Sequence, residues 1–433
     1  MSQVIRYWLY GLPGLPLAAL GLPLYIYLPT FYAEQLGLGL ATVGLALLIA
    51  RISDVITDPM IGIFSDWLPL PSRRKWLMVI ATPLLIIALW ALFVPPEGSG
   101  FYWLLLWSIL VYFAWSLLTL PYTAWGAELS GNYDQRSTIT ASRESFVLIG
   151  TLFAAGLPLA MGIASDEPGK ALLVLAQSLT IILPITILIC VLKVPESNRR
   201  VQPISYRAGF ALLKSNHLFI RLLFAYFMNG IANGLPATLF LLFVTYVLVL
   251  PEQFGLLLSA YFISGLIGLP IGVKLAKRYN KHRVWGVSML WAVGVFAWVP
   301  SIGAGDFLPF LLVCILSGLS LGIDMALPAS IQADVIDLDS AGGGGQRSGF
   351  FFGLWGMATK LSLALAVGIA FPLLVFLGFD TQTAPADNNL LGLTLLYGLL
   401  PIPFKLLAAW TIWNFPLNRQ QHRHIQQQLT EEP

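Results

Sequence analysis

Residues 120–137 read LPYTAWGAELSGNYDQRS, and residues 327–348 read LPASIQADVIDLDSAGGGGQRS. Each stretch opens on Leu-Pro inside an apolar run, carries an acid near the end of that run (Glu128, Asp334), and closes on Gln-Arg-Ser in a polar segment. An ordered set that recurs once in each half of a chain marks an internal repeat. The longest polar stretch between apolar runs, KVPESNRRVQPISYRAGFALLKSNH (193–217), falls between the two copies. The chain therefore divides into two related halves.

Composition identifies the solvent. Of the 433 residues 57% are hydrophobic and 10% charged, with a mean hydropathy of +0.79, whereas soluble domains carry about 25% charged residues. Runs of about 20 apolar residues, enough to cross a bilayer, lie near 9–32, 40–63, 76–95, 101–125, 145–165, 170–192, 218–247, 255–277, 284–302, 307–330, 349–378 and 390–414. The expected fold is an all-α membrane protein of twelve helices in two six-helix bundles, 1–192 and 218–414, with a cytoplasmic linker over 193–217 and a cytoplasmic tail over 415–433. No room is left for a soluble domain.

Charge sets the orientation. Basic residues gather in alternate loops, at Arg73, Arg74 and Lys75, at Arg136 and Arg143, at Arg199, Arg200, Arg207 and Lys214, at Lys277, Arg278, Lys281 and Arg283, at Arg347, and at Arg419 and Arg423. The other loops carry Glu97, Asp166, Glu167, Glu252, Asp306, Asp380 and Asp387, with Lys170 their one base. By the positive-inside rule both termini are expected in the cytoplasm, and the protein in a cell inner membrane. The start MSQVIRYWLYGLPG reads as a first membrane helix, without the short apolar core and cleavage site of a signal peptide. Cys190 and Cys314 fall inside spans, and the four histidines, His217, His282, His422 and His424, in loops or the tail. No metal-site or nucleophile-and-base motif appears, so we expect no enzyme, no cofactor and no nucleic-acid partner, and nothing requires more than a monomer.

Spans 1 and 7 also correspond, GLPLYIYLPTFY from Gly21 facing GLPATLFLLFVTY from Gly234. Helices interrupted at matching places in two repeats line midplane substrate cavities; the alternative is that Gly and Pro permit close helix packing. Asn229 and Asn233 add polar groups to span 7.

The most informative polar pattern is RISDVITDPMIGIFSD (51–66). Residues four apart on an α-helix lie about 40° apart around the axis, so Asp54 and Asp58 share a face with Arg51. One charge near the bilayer centre costs about 2.5–3.5 kcal/mol on insertion scales, and two like charges also repel. The pair needs a proton, a cation or a basic partner. In the second half the matching positions are Leu269 and either Ser264 or Gly265, so the fold alone does not demand acids there. One reading is a monovalent-cation site, with hydroxyls such as Thr57 completing the oxygen set that hard cations choose. The other is a structural cluster in which Arg51 and Lys360 of span 11 neutralise the acids; a proton relay is a third.

Weaker signals complete the set. Gly62 and Asp66, followed by Arg73 and Arg74, have the look of a cytoplasmic gate clasp, to which we assign Glu128, Arg136, Asp334 and Arg347 as well; a solvated basic loop is the alternative. Asp324 is intramembrane and is expected either at the substrate or beside Lys360. Tyr25, Tyr27, Trp115, Trp125 and Trp355 are candidates for stacking on a ligand, although most of the fourteen tryptophans should be interfacial or packing residues.

ARISDVITDPMIG, LPYTAWGAELSGNYDQRSTITASR and GQRSGFFFGLWGMATKL together resemble the glycoside-pentoside-hexuronide:cation symporters of the major facilitator superfamily, along nearly the whole chain. The resemblance implies two bundles around a central cavity, alternating access, and a sodium, lithium or proton site. It implies that Asp54 and Asp58 are the cation carboxylates, with Thr57 between them and Ser116 as a hydroxyl ligand. Lys360 matches a lysine near that site, and Arg143 an arginine near the sugar. The family's sugar-gripping carboxylates on spans 1 and 4 are replaced by Ala18 and Thr119. A similar span 2 motif occurs in sodium-coupled lysophospholipid transporters.

The sequence thus leads to a cation-coupled symporter for a sugar, glycoside or related small solute, working within membrane lipid. The candidate substrate residues are Tyr25, Thr119, Trp125, Arg143, Asn229, Asn233, Asp324 and Trp355. A lysophospholipid carrier or a proton-driven exporter is the alternative, and a non-transporting sensor or scaffold the reading from another class.

Overall fold

The computed structural model describes residues 2–21, 23–163, 167–196, 216–341, 347–379 and 390–431. Among these residues every regular element is helical. Eleven helices are long and apolar enough to cross a membrane. They are α1 (Gln3–Gln35), α3 (Arg73–Phe93), α4 (Phe101–Glu128), α5 (Tyr133–Ala160), α6 (Pro168–Lys193), α7 (His217–Val247), α8 (Pro251–Arg278), α9 (Lys281–Ser301), α10 (Phe307–Asp339), α11 (Ser348–Phe376) and α12 (Leu390–Trp413). The remaining long helix, α2 (Leu40–Trp67), has 28 residues and differs in the charges of Arg51, Asp54, Asp58 and Asp66 that it carries. With it the twelve expected spans are present. A shorter helix, α13 (Arg419–Glu431), forms in the tail.

Local sequence accounts for the irregularities. In α1 the prolines cannot supply the helical N–H, and the backbone relaxes into π-helical turns at Pro23–Tyr27 and Phe31–Gln35. The corresponding helix α7 ends in a π turn at Phe243–Val247. Pro121 and Pro328, the prolines of the two repeat copies, both lie inside continuous helices. The linker, apart from its two ends, lies outside the described residues, and with it Arg199, Arg200, Arg207 and Lys214.

The chain forms two compact units, Met1–Gly209 with Ser340–Met357, and Phe210–Asp339 with Ala358–Pro433. The first turns of α11 belong to the first unit because Gly62 and Gly349 let two backbones meet there: a Cβ on Gly62 would lie 2.9 Å from the Gly349 carbonyl carbon. The second unit uses the same device between α8 and α10. A Cβ at Gly322 would stand 2.5 Å from the Leu269 nitrogen and 2.8 Å from the Gly268 carbonyl carbon. Small residues permit this approach in lipid, where helix association relies on packing. The same unit holds an aromatic core, with Phe243 and Tyr397 stacked at 4.4 Å between ring centroids.

Gly322→Val should therefore destabilise the second unit by about 1–3 kcal/mol, the usual range for overpacking. Gly368→Ala, where a Cβ meets nothing within 4 Å, should leave the thermal midpoint of the detergent-purified protein almost unchanged. Equal midpoints for the two variants would contradict the close approach of α8 and α10.

Candidate cation and substrate site

The two faces of α2 differ in a way that fixes its azimuth. Ile52, Ile56 and Met60 are 53%, 60% and 48% exposed, while Asp54 and Asp58 are 3% and 1% exposed. The helix thus turns an apolar stripe outward to lipid and its acids inward. Ser116 of α4 donates to Asp54 Oδ1 at 3.0 Å. Thr57 donates to the Asp54 carbonyl at 3.2 Å, within its own helix, which leaves its oxygen able to accept or to ligate. Carboxylates and hydroxyls therefore collect at one level of α2 and α4.

Arg51 does not take the role of neutralising partner that its spacing proposes. Its guanidinium lies over the rings of Tyr25 at 4.2 Å and Tyr112 at 5.0 Å, and among the described residues it forms no ion pair. Cation–π contact satisfies this arginine without a carboxylate. Tyr25 is thereby engaged with Arg51.

Two glycines that the sequence reading passed over complete the first unit's acid site. A Cβ on Gly356 would lie 2.7 Å from Asp58 Oδ2, and one on Gly353 would lie 2.8 Å from the Asp58 carbonyl oxygen. The start of α11 can lie against Asp58 only because both are glycine. Their spacing in GFFFGLWGMATK, with Gly349, was the available signal. Trp355, on the same turns, is buried. Thr119, one turn beyond Ser116, has a buried hydroxyl with no partner among the described residues.

The expected gate residues separate into three groups. Arg74, fully buried, binds Asp66 at 2.6 Å and Glu128 at 2.8 Å and also meets Ser65. Asp66 in turn accepts from the Gly349 and Phe350 backbone at 3.0 and 2.8 Å, where the free N–H groups opening α11 favour an anion. Glu196, which the sequence reading missed, accepts from the Arg74 and Lys75 backbone at 2.8 and 3.3 Å. Burial raises its carboxyl above the usual value. Arg73 takes part in no ion pair among the described residues, Arg136 donates to the Ser130 carbonyl at 2.8 Å, and Arg347 is buried at the start of α11. Asp334, in the other unit, binds Lys281 at 2.6 Å and faces His422 of α13.

The second unit corrects several substrate assignments. Asp324 accepts from Trp285 Nε1 at 3.0 Å and Ser288 at 3.4 Å through Oδ1. Through Oδ2 it accepts from Asn229 and Asn233, each at 3.2 Å, and from Lys405 at 3.3 Å. Lys405, not Lys360, is its ionic partner, and it donates to Asn229 as well at 2.9 Å. Five donors exceed the roughly four lone-pair sites of a carboxylate, so this set is closed on itself. Asn229, Asn233 and Asp324 hold α7, α9, α10 and α12 together.

Trp125 likewise belongs to packing: it is fully buried, donates to the Pro195 carbonyl at 3.1 Å and meets Tyr10 edge-on. Arg143 pairs with its neighbour Glu144, its Nε at 2.9 Å.

The chain can now be compared with known proteins. The family described as MFS/sugar transport protein matches residues 9–419. The human sodium-dependent lysophosphatidylcholine symporter 1 is 26% identical, across 97% of this chain and 87% of that protein. The mouse sphingosine-1-phosphate transporter is 24% identical, across 97% and 91%. The E. coli fucose:proton symporter superposes with a TM-score of 0.68 at 14% identity, covering 95% of this chain and 98% of that one, a likeness of fold alone. These relatives are transporters, and the two nearer in sequence are named for lipids, so the glycoside-specific resemblance holds only at the level of the wider family. The chain belongs to the MFS/sugar transport protein family and is a multi-pass membrane transporter of the major facilitator fold.

Proposed function

We propose that this protein is a sodium-coupled symporter whose substrate is a lysophospholipid-like amphiphile, with both termini on the cytoplasmic side. The observation that carries the reading is the buried pair Asp54 and Asp58 with the Ser116 hydroxyl on Asp54. A hard monovalent cation prefers oxygen ligands, and its charge offsets the cost of holding two carboxylates in lipid. The sodium dependence named for the human relative supports sodium as the coupling ion. Sodium is here a transported solute, and Lys360 the candidate basic group that responds to its arrival.

Coupling follows if the cation binds one conformation more tightly than the other and so shifts the population toward the form that takes substrate. The substrate side favours an amphiphile over a sugar. Ala18 and Thr119 stand where the sugar symporters carry carboxylates, and neither offers the charged acceptor that grips sugar hydroxyls. The lipids named for the human and mouse relatives point the same way. Thr119 and Trp355 remain candidate substrate contacts.

Thermal unfolding in sodium chloride against choline chloride at equal ionic strength tests the cation site. A ligand of the folded state adds RT ln(1 + [L]/Kd), about 2.7 kcal/mol at a hundredfold excess over Kd. A sodium-specific rise in midpoint is expected for the wild type and none for Asp58→Asn; a wild type indifferent to sodium would refute the site. Ser116→Ala should keep the rise but require about fivefold more sodium, the equivalent of about 1 kcal/mol for one lost polar contact.

Uptake into proteoliposomes tests the substrate. An inward sodium gradient should drive accumulation of labelled lysophosphatidylcholine and not of a galactoside, and Asp54→Asn and Asp58→Asn should each lower the accumulation at least tenfold. Accumulation of the galactoside with no lysolipid uptake would overturn the amphiphile reading and leave the cation site standing.

A further inference from the structure

On the second unit, a groove of about 680 Å³ is lined by Arg221 of α7, Leu290 of α9, and Leu406, Trp410 and Trp413 of α12. Most of it is what lipid-facing surface should be. Trp410 is 77% exposed and Trp413 41% exposed, near the end of α12 that adjoins the basic loops, where tryptophan sits at a headgroup level. Arg221 is the exception.

Arg221 is held in place. Its Nε donates at 2.6 Å to the carbonyl of Thr411, one of the last carbonyls of α12 and so without a helical partner. Its guanidinium carbon lies 5.9 Å from the Phe415 ring. The contact fixes the plane of the fork while both Nη atoms keep no partner among the described residues. Arg283 and the buried His282 lie close by, His282 within electrostatic reach of both arginines and 6.3 Å from Phe415. Among the described residues no carboxylate pairs with Arg221 or Arg283. Asp334 and Asp337, acids of the same unit, are engaged with Lys281 and His422. A cationic corner with no counter-charge among the described residues thus opens onto an apolar groove at the membrane surface.

We infer that this groove binds an acidic phospholipid of the adjoining leaflet, with its phosphate on the Arg221 fork and an acyl chain along Leu290, Leu406 and Trp410. Arginine matches phosphate in a bidentate geometry. Basic pockets between helices on the cytoplasmic side are suited to anionic headgroups. The lipid is a bound partner of the second unit and is distinct from the transported amphiphile, so the inference does not depend on the identity of the substrate.

The test is thermal unfolding of the full-length protein in detergent micelles doped with dioleoylphosphatidylglycerol or dioleoylphosphatidylcholine, with inorganic phosphate at the same concentration as a third arm. For the wild type phosphatidylglycerol should raise the midpoint by several degrees over phosphatidylcholine, and phosphate should not. Arg221→Gln should respond alike to the two lipids while retaining the sodium-specific rise, which shows that the variant is folded. Trp410→Ala, which alters only an exposed wall, should reduce the lipid response by about half. Equal responses of the wild type to the two lipids, an undiminished preference in Arg221→Gln, or a full response to inorganic phosphate would each overturn the inference.

Discussion

Two carboxylates one helical turn apart in a membrane-spanning segment are the constraint around which the first unit is organised. Polar groups are costly to hold within lipid, so everything within reach of α2 must either satisfy them or keep lipid away. The helix places Ile52, Ile56 and Met60 outward and both acids inward. A hydroxyl from α4 reaches Asp54, and glycines at 353 and 356 let the start of α11 close over Asp58 where any side chain would collide. The assignment of residues 340–357 to the first unit follows from the same close approach.

The internal repeat reappears as chemistry at the loop end of each unit. Arg74, at the start of α3, binds Glu128 at the end of α4, and Lys281, at the start of α9, binds Asp334 near the end of α10. These are corresponding helices in the two halves, so the same kind of ion pair closes each unit at the same place. Each is deeply buried, and removing one partner of such a pair commonly costs about 3–5 kcal/mol. The halves then diverge. Only the first adds an acid at the end of its second helix, Asp66, which ties Arg74 to the opening turn of α11. This extra acid joins a static pair to a helix that begins in the first unit and continues in the second.

Legibility in the sequence follows the range of the interaction that decides each feature. Spans depend on local hydropathy, and the helices overlap the expected apolar runs, although the fifth starts at Tyr133 and not near 145, so Arg136 and Arg143 lie in helix and not in the expected loop. The acid pair is legible because a charge within an apolar run is costly wherever it faces. Partnerships are not, since they depend on which faces of two helices meet. Lys405 and Lys360 look alike in the sequence, yet Lys405 is the one that reaches Asp324. Arg51 has the spacing of an ion-pair partner, and two tyrosine rings from other helices take it instead. Trp125 looks like a ligand platform until its neighbours, Tyr10 and the Pro195 carbonyl, are known.

The two buried acid sites differ in what surrounds them. Asp324 is surrounded by hydrogen donors: an ammonium, two amides, an indole and a hydroxyl. Such a set satisfies the carboxylate where it stands and presents no free oxygen to a cation, so its physical consequence is a four-helix junction. Beside Asp54 lie the hydroxyls of Ser116 and Thr57, whose oxygens can turn from donating to ligating. The half without acids at the matching positions is also the half in which Asp324 is already saturated. A saturated acid braces the second unit, while the first holds two buried acids with a hydroxyl on Asp54, the arrangement on which the proposed cation coupling rests.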